Sequence, residues 1–518
     1  MTRSSLARGG MQQTNANFAL FVQATCERLP ERPALFHRGA WIVYRDLGRQ
    51  IDAWVGALRR AGAAPGRCVA IWLPNSPAFV GAFVASLRLG AVAAPLGVLL
   101  KPREVKQRLV AADAAVLVTT PALAGDLGDV GVPVLAVDSA GLAVDDDGSA
   151  APAAVARRDD DAAVLIFTSG TTGNARAAEL THRGIAWNAR ALADMFAMTA
   201  DDVQLAAAPL SHVLGMTGVM NASLITGGAV ALMERFDAPA ALSLLASAGI
   251  TGVVGAPPMF VALLREAQKA GNAPRLRFAL AGGAALATEV ARSIEETFQC
   301  ALREGYGMSE VGGGIAGAPL ASPRKPQSVG PAFPGSEIRI VDVATRASLP
   351  IGERGEVQVR SPSVMRGYRA DEDGTNAVVD RDGWLSTGDI GYVDDDGYLF
   401  LVDRKKDLII RSGYNVYPGE VEEVLFSCPG VLEAAVIGVP DEEHGEEVVA
   451  LVVPAYVDVG DGDGVGVALD PEAVKAFARE RLAAYKYPRR VIIVKELPKG
   501  PTGKISKRDI DLAALIAR

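Results

Sequence analysis

The sequence predicts an α/β protein. A large N-terminal domain of layered α/β subdomains carries a small β-rich subdomain and is followed by an α+β C-terminal domain. Three observations carry this reading. Short apolar runs of buried-strand type alternate with helical patterns over most of the 518 residues, which is the signature of largely parallel sheets covered on their faces. After about residue 325 the texture changes to apolar–polar alternation, as in antiparallel hairpins with one wet face. From about Lys406 helix and strand patterns recur in a compact stretch. The boundaries expected are 1–405, with the β-rich part at about 325–405, and 406–518.

Each element has a local reason. Cys68–Leu73 is a short apolar run closed by Pro74-Asn75-Ser76, and a helical stretch follows from Pro77. Ala115–Thr119, Val134–Val137 and Ala163–Phe167 are further strands bounded by turn residues. Ala238–Ala248 and Pro258–Ala270 read as helices between them. Phe79–Leu100 is strongly apolar but contains Arg88, Gly90 and Pro95. A central Arg is costly in lipid and Pro95 breaks the run, so a buried helix running into a buried strand is predicted, not a membrane span. Gly335–Val341, Gly355–Arg360 and Gly391–Val402, the last with an Asp394-Asp395-Asp396-Gly397 turn, read as hairpin strands. Tyr417–Leu425 starts a helix with acidic residues in its first turn. Val431–Val439 and Glu447–Val453 read as strands, Ala473–Ala484 as an amphipathic helix, and the Gly/Asp-rich Asp458–Gly466 as a hairpin loop without EF-hand spacing.

Composition removes several classes. The chain is 49% apolar and 22% charged with a formal net charge of −8, so no basic surface for nucleic acid is indicated. Cys26, Cys68, Cys300 and Cys428 are scattered, without a C-x-x-C pair or Cys/His cluster; reduced, mostly buried thiols are expected. Met1–Asn17 is polar and lacks the apolar core of a signal peptide. A cytoplasmic location without integral membrane association is expected.

Two segments point to chemistry. Thr168-Ser169-Gly170-Thr171-Thr172-Gly173-Asn174-Ala175-Arg176 places hydroxyls, small residues and a cation directly after the strand Ala163–Phe167. Such a loop between strand and helix is a common phosphate cradle, although the Walker A pattern is absent. Near the C-terminus, Pro498-Lys499-Gly500-Pro501-Thr502-Gly503-Lys504-Ile505 offers a lysine on a turn. Both suit a polyphosphate. Taken singly, one is an ordinary surface turn and the other a solvated lysine.

Together with four further segments they resemble the adenylate-forming superfamily of acyl-CoA synthetases, adenylation domains and luciferases. The phosphate loop with Leu180-Thr181-His182, then Pro209-Leu210-Ser211-His212, Gly305-Tyr306-Gly307-Met308-Ser309-Glu310, Ser386-Thr387-Gly388-Asp389, Val402–Ile409 and Lys499–Lys504 appear in the family's order. One departure is clear. Where the family usually has Pro-Lys-Gly, this chain has Ala175-Arg176-Ala177; Arg keeps the charge and adds a fork suited to phosphate oxygens.

The resemblance implies roles. ATP would be held by Thr168, Ser169, Gly170, Thr171, Thr172 and Gly173, with Arg176 acting on the phosphates. Thr168 and Glu310 would serve Mg²⁺, as hard oxygen ligands. Tyr306 would stack on adenine, with Gly282, Gly283 and Gly307 allowing close backbone approach. Asp389 and Arg404 would hold the ribose. Lys504 would be the catalytic cation of adenylation, Lys406 the hinge of a mobile C-terminal domain, Gly413 the position facing the thiol route, and His212 the gate of the acyl channel. His37, His182 and His444 receive no catalytic role. The reaction implied is a two-step ligation in which a small-molecule carboxylic acid becomes an acyl-AMP and then a thioester of coenzyme A.

The acyl pocket is expected around Val213–Val219, Gly282–Ala285 and Gly312–Ile315. These residues are small or apolar, which favours a hydrocarbon acid, a medium- or long-chain fatty acid. Gly312, Gly313 and Gly314 either leave room for a chain or make a turn. The alternatives are transfer to the pantetheine of an acyl carrier protein, and a nucleotide-binding relic; the relic predicts broken motifs, yet Lys504, Asp389, Arg404 and Glu310 are all present.

Overall fold

The computed structural model describes residues 15–138, 152–168, 176–412, 414–441, 443–457, 465–466, 469–499 and 505–510. The chain divides into two compact units, Met1–Glu337 with Val359–Leu385, and Ile338–Gln358 with Ser386–Arg518. This division differs from the expected boundary at 405/406, because 338–358 and 386–405 group with the C-terminal residues.

The first unit is built on two large sheets. In one, the order is Gly313–Gly317, Ala301–Met308, Phe278–Gly282, Gly252–Gly255, Val203–Ala206, Ala229–Leu232, Pro33–His37 and Ala40–Val43. The interior strands pair in parallel and the two edges antiparallel. In the other, the order is Gly367–Tyr368, Arg176–Thr181, Ala162–Thr168, Val92–Pro95, Cys68–Trp72, Ala114–Thr119 and Val134–Ala136. Its strands Val92–Pro95 and Cys68–Trp72 are buried at every residue, which is why they read as continuous apolar runs without alternation.

The apolar stretch that raised the membrane question is the helix Pro77–Arg88, capped by Ser76 through the Phe79 amide, and then the strand Val92–Pro95. Arg88, at the end of that helix, pairs with Asp52. Among the described residues no helix is long and apolar enough to cross a membrane. The four cysteines are free, and burial pushes the thiols of Cys26 to about 11 and of Cys68 and Cys300 to about 12. None is poised as a nucleophile at neutral pH.

The second unit contains the hairpin strands expected from alternation. Glu337–Val341, Gly355–Arg360, Leu385–Val393 and Tyr398–Arg404 lie side by side in that order. A further sheet orders Tyr414–Val416, Ile409–Arg411, Gly445–Pro454 and Val431–Asp441, with Arg490–Ile493 parallel to Gly445–Pro454. Helices Pro418–Phe426 and Pro471–Arg481 bury Val421, Leu425, Val474 and Ala478 in the core with Val436, Ala450 and Val452 of that sheet.

Candidate active site

The phosphate-loop segment is bounded by two strands. Ala162–Thr168 enters it and Arg176–Thr181 leaves it antiparallel, with Thr168 opposite Arg176 and Phe167 opposite Ala177. This corrects the expected strand–loop–helix order, since the helix His182–Met195 begins only after the second strand. The expected phosphate-binding segment is therefore followed by a strand and not by a helix N-terminus. In this strand Ala177, where the family usually has Gly, is a buried residue. Ser169, Gly170, Thr171, Thr172 and Gly173 lie outside the described residues.

The positions assigned to adenine sit together. Gly282 pairs with Gly305 at the ends of neighbouring parallel strands, and Tyr306 follows, buried. Gly283 has φ +85°, and a Cβ at Gly307 would stand 1.8 Å from the Gly313 carbonyl oxygen. Both positions need glycine for the backbone path itself. The three stretches assigned to the acyl pocket also meet. Leu214 reaches within 3.1 Å of where a Gly282 Cβ would be, and Thr217 donates its hydroxyl to the Gly312 carbonyl at 2.6 Å.

The glycine triplet makes a packed turn. Cβ atoms at Gly313 and Gly314 would each fall 2.6 Å from a neighbour, Asn188 Oδ1 and Phe333 respectively. Asn188 is fully buried and donates to the carbonyls of Val311 and Gly314, while its Oδ1 accepts from the Gly314 amide. Composition did not single out Asn188. His212 is exposed, and its Nδ1 accepts from the Leu214 amide at 3.3 Å, at the head of the helical segment that lines this region.

Glu310 lies in the single 3-10 turn Ser309–Val311 and is buried. The Tyr368 phenol donates to its Oε1 at 2.9 Å. Burial, with Glu310 next, raises the phenol's pKa, so it stays protonated and the carboxylate accepts. Glu310 Oε2 has no hydrogen bond among the described residues. One carboxylate with a spare oxygen, and the hydroxyl of Thr168 on the strand Ala162–Thr168 that packs against the Ser309–Val311 turn, fit magnesium, which keeps waters and substrate phosphates as its other ligands. No cluster of three His, Cys, Asp or Glu that could hold a metal occurs among the described residues.

In the second unit, Asp389 and Arg404 face each other across an antiparallel pair, with Arg404 Nε 2.7 Å from Asp389 Oδ1. Asp389 is buried and Arg404 about half exposed, 53%. Lys405, beside the expected hinge Lys406, pairs with the buried Glu356 at 2.9 Å. Lys504 and Gly413 lie outside the described residues. Their flanks are held. Lys499 bridges Ile505, and Ser412 contacts His444 through its amide and through its hydroxyl at 3.0 Å from Nδ1.

Comparison with known proteins shows the family. The profile of the AMP-binding enzyme family matches residues 22–369 and that of the AMP-binding enzyme C-terminal domain matches 420–504. A feruloyl-CoA synthase of Amycolatopsis sp is 36% identical over 487 residues, covering 93% of this chain and 96% of that one. ATP-bound MatB from Rhodopseudomonas palustris superposes with a TM-score of 0.86 at 31% identity, covering 96% and 98% of the two chains. The o-succinylbenzoate CoA synthetase MenE from Bacillus subtilis, in complex with its acyl-adenylate intermediate, gives 0.82 at 28% identity over 95% and 97%. The chain belongs to the AMP-binding enzyme family of the adenylate-forming superfamily, and it is an AMP-forming ligase of the acyl-CoA synthetase type.

Proposed function

We propose that this ligase activates an aromatic or similarly compact carboxylic acid as acyl-AMP and transfers it to coenzyme A. The observation that carries the nucleotide half is the contact between Glu310 and Tyr368, whose ring lies under the guanidinium of Arg176 at 5.2 Å. The base of the phosphate loop and the buried carboxylate thus belong to one assembly. In the first step the acid's carboxylate oxygen attacks the α-phosphorus of ATP, a P–O bond forms, and the bond to pyrophosphate breaks. Arg176 binds phosphate oxygens. Lys504 neutralises charge gathering on the carboxylate and α-phosphate. Asp389 accepts from the ribose hydroxyls and Arg404 steadies it. Magnesium, held by Glu310 and Thr168 with water and phosphate oxygens, would offset the triphosphate charge. In the second step the thiolate of coenzyme A attacks the acyl carbon and AMP leaves. That step uses a C-terminal domain turned about Lys406 so that Gly413 faces the thiol, with His212 at the mouth of the acyl channel.

The nature of the acid follows from two supports. The relatives named above include enzymes named for feruloyl and o-succinylbenzoate groups, both aromatic. The Gly312–Gly314 turn is filled on its Cβ sides by Leu180, Asn188 and Phe333, so the glycines do not speak for a long-chain tunnel. A compact acid therefore replaces the fatty acid expected from residue character alone. The test is acid-dependent pyrophosphate release over hydroxycinnamates, benzoates and fatty acids, with and without coenzyme A. Turnover confined to fatty acids of ten or more carbons refutes the acid. Pyrophosphate release with hydroxamate trapping, but no thioester to coenzyme A, would instead favour a carrier-protein acceptor.

A further inference from the structure

Arg176 and Glu310 come from distant parts of the sequence, yet one short stretch touches both. The backbone from Met365 to Asp371 runs as a strap beside the strand that leaves the phosphate loop. Gly367 pairs with Glu179 and Tyr368 with Ala178, and the Arg369 amide donates to the Ala177 carbonyl at 2.8 Å. At its start, the Met365 amide donates to the carbonyl of Glu310 itself at 2.7 Å. At its end, Asp371 Oδ2 stands 3.1 Å from Arg176 Nε. Between them, Tyr368 donates to Glu310 Oε1 and lies beneath the Arg176 guanidinium. The Tyr368 amide is fixed in turn by Thr375 Oγ1 at 2.8 Å.

We propose that Tyr368 and Asp371 are positioning residues for the nucleotide step, a reading that rests on the roles proposed above for Glu310 and Arg176. Tyr368 fixes the Glu310 carboxylate by engaging one oxygen, which leaves the other for the metal. Partners of this kind orient ligating carboxylates and set metal affinity. Asp371 and the Tyr368 ring hold the Arg176 guanidinium edge-on and face-on at once. A planar fork can satisfy both contacts, whereas an ammonium is a point charge that meets one. This gives a physical reason for arginine at the position where the family usually has lysine. Arg176 and Asp371 are each about one-third exposed, 35% and 34%, so a phosphate can meet the guanidinium from solvent while Asp371 keeps holding it.

The test measures binding, not turnover. Free Mn²⁺ is followed by electron paramagnetic resonance while enzyme is titrated in the presence of α,β-methylene-ATP. Nucleotide binding without metal is measured separately by calorimetry in EDTA. Tyr368→Phe keeps the ring over Arg176 and removes only the hydroxyl. It is expected to weaken Mn²⁺ binding in the ternary complex about tenfold and to leave metal-free nucleotide binding within about twofold. Asp371→Asn is expected to weaken metal-free nucleotide binding about threefold to fivefold, and to have no further effect when Arg176 is already Met. Wild-type Mn²⁺ affinity in Tyr368→Phe, or an undiminished Asp371→Asn effect in the Arg176→Met background, overturns the assignment. A loss of thermal stability in Tyr368→Phe with unchanged Mn²⁺ affinity overturns it too, because it leaves the tyrosine a purely structural role. If wild-type enzyme binds no nucleotide with or without Mn²⁺, the underlying functional reading fails instead.

Discussion

Acid should loosen the first unit through His182, and the size of the effect can be worked from its surroundings. His182 is fully buried at the start of the helix His182–Met195, and its Nδ1 accepts from the Phe18 amide at 3.1 Å. The proton of the neutral ring is therefore on Nε2, and a proton on Nδ1 would break the contact with Phe18. Burial, with the Arg157 guanidinium second, lowers the pKa from 6.5 to about 4. The unfolded chain takes up this proton as pH falls through 6.5, but the native chain does so only near 4. Between those limits the unfolded state binds more protons, so stability is full above 6.5 and falls with pH. At about 1.4 kcal/mol per pH unit, the loss is about 2 kcal/mol by pH 5 and about 3 kcal/mol when the window has been crossed. The perturbation is His182→Gln, which cannot titrate. The assay is urea unfolding followed by tryptophan fluorescence at pH 7.5 and pH 5, reading the transition that contains Trp54 and Trp187. The variant begins less stable, and its deficit relative to wild type should shrink by about 2 kcal/mol at the lower pH. A deficit that stays constant between the two pH values refutes the buried, neutral imidazole.

Three further outcomes are expected. Lys504→Ala should abolish acid-dependent pyrophosphate release and largely spare thioester formation from supplied acyl-AMP; equal loss in both half-reactions contradicts the division of labour. Gly413→Trp should do the reverse, and normal turnover of coenzyme A in that variant removes Gly413 from the thiol route. Gly307→Ala should cost more than about 2 kcal/mol and lower the affinity for ATP, because the added carbon meets the Gly313 carbonyl. Gly125→Ala, with nothing within 4 Å, is the neutral control in thermal unfolding, and equal melting temperatures for the two variants would discount the close approach.

Much of the fold was legible because local chemistry decided it. The hairpin strand Gly355–Arg360 has the bounds expected from its alternation, but its polar residues Glu356 and Gln358 are buried, so neither face is wet. The helix Pro257–Ala270 starts on proline and ends at Gly271 with φ +65°, the two signals that mark its ends in the sequence. The strand Arg176–Thr181 was missed because it is short and carries Arg176 and Glu179, so its alternation is weak. It is a strand because Ala162–Thr168 on one side and Gly367–Tyr368 on the other both pair with it, and pairing of that kind overrides propensity. The site was legible in part for the same reason. Motif residues announce their chemistry, but their partners need not. Tyr368 lies 58 residues from Glu310, and Asn188 is more than a hundred residues before the turn that it clamps, with a separation of 126 from Gly314. Nothing local marks an asparagine or tyrosine as the one that closes such a loop.

Within each unit, residues assigned to the proposed reaction are held by partners of that same unit. In the first, acid and base are matched within one assembly, where Glu310 is held by Tyr368 and Arg176 by Asp371. In the second, Lys507 pairs at 2.7 Å with Glu422, both largely buried. Glu422 also accepts from the Val436 amide at 2.7 Å in the central sheet, while the Ser506 amide donates to the Pro498 carbonyl at 2.8 Å. The residues that flank 500–504 are thus held together, and the chain is anchored at Lys507. If Lys504 acts as proposed, such anchoring lowers the entropic cost of placing its ammonium at the α-phosphate. The same reasoning separates Lys507 from Lys504. Loss of the anchor should leave the cation available but badly placed, so Lys507→Met should slow adenylation by about tenfold to a hundredfold. Added soluble amines should not restore the rate, although they can restore it when Lys504 itself is truncated. Full adenylation activity in Lys507→Met, or amine rescue equal to that of the Lys504 variant, would show that the tail needs no fixed base.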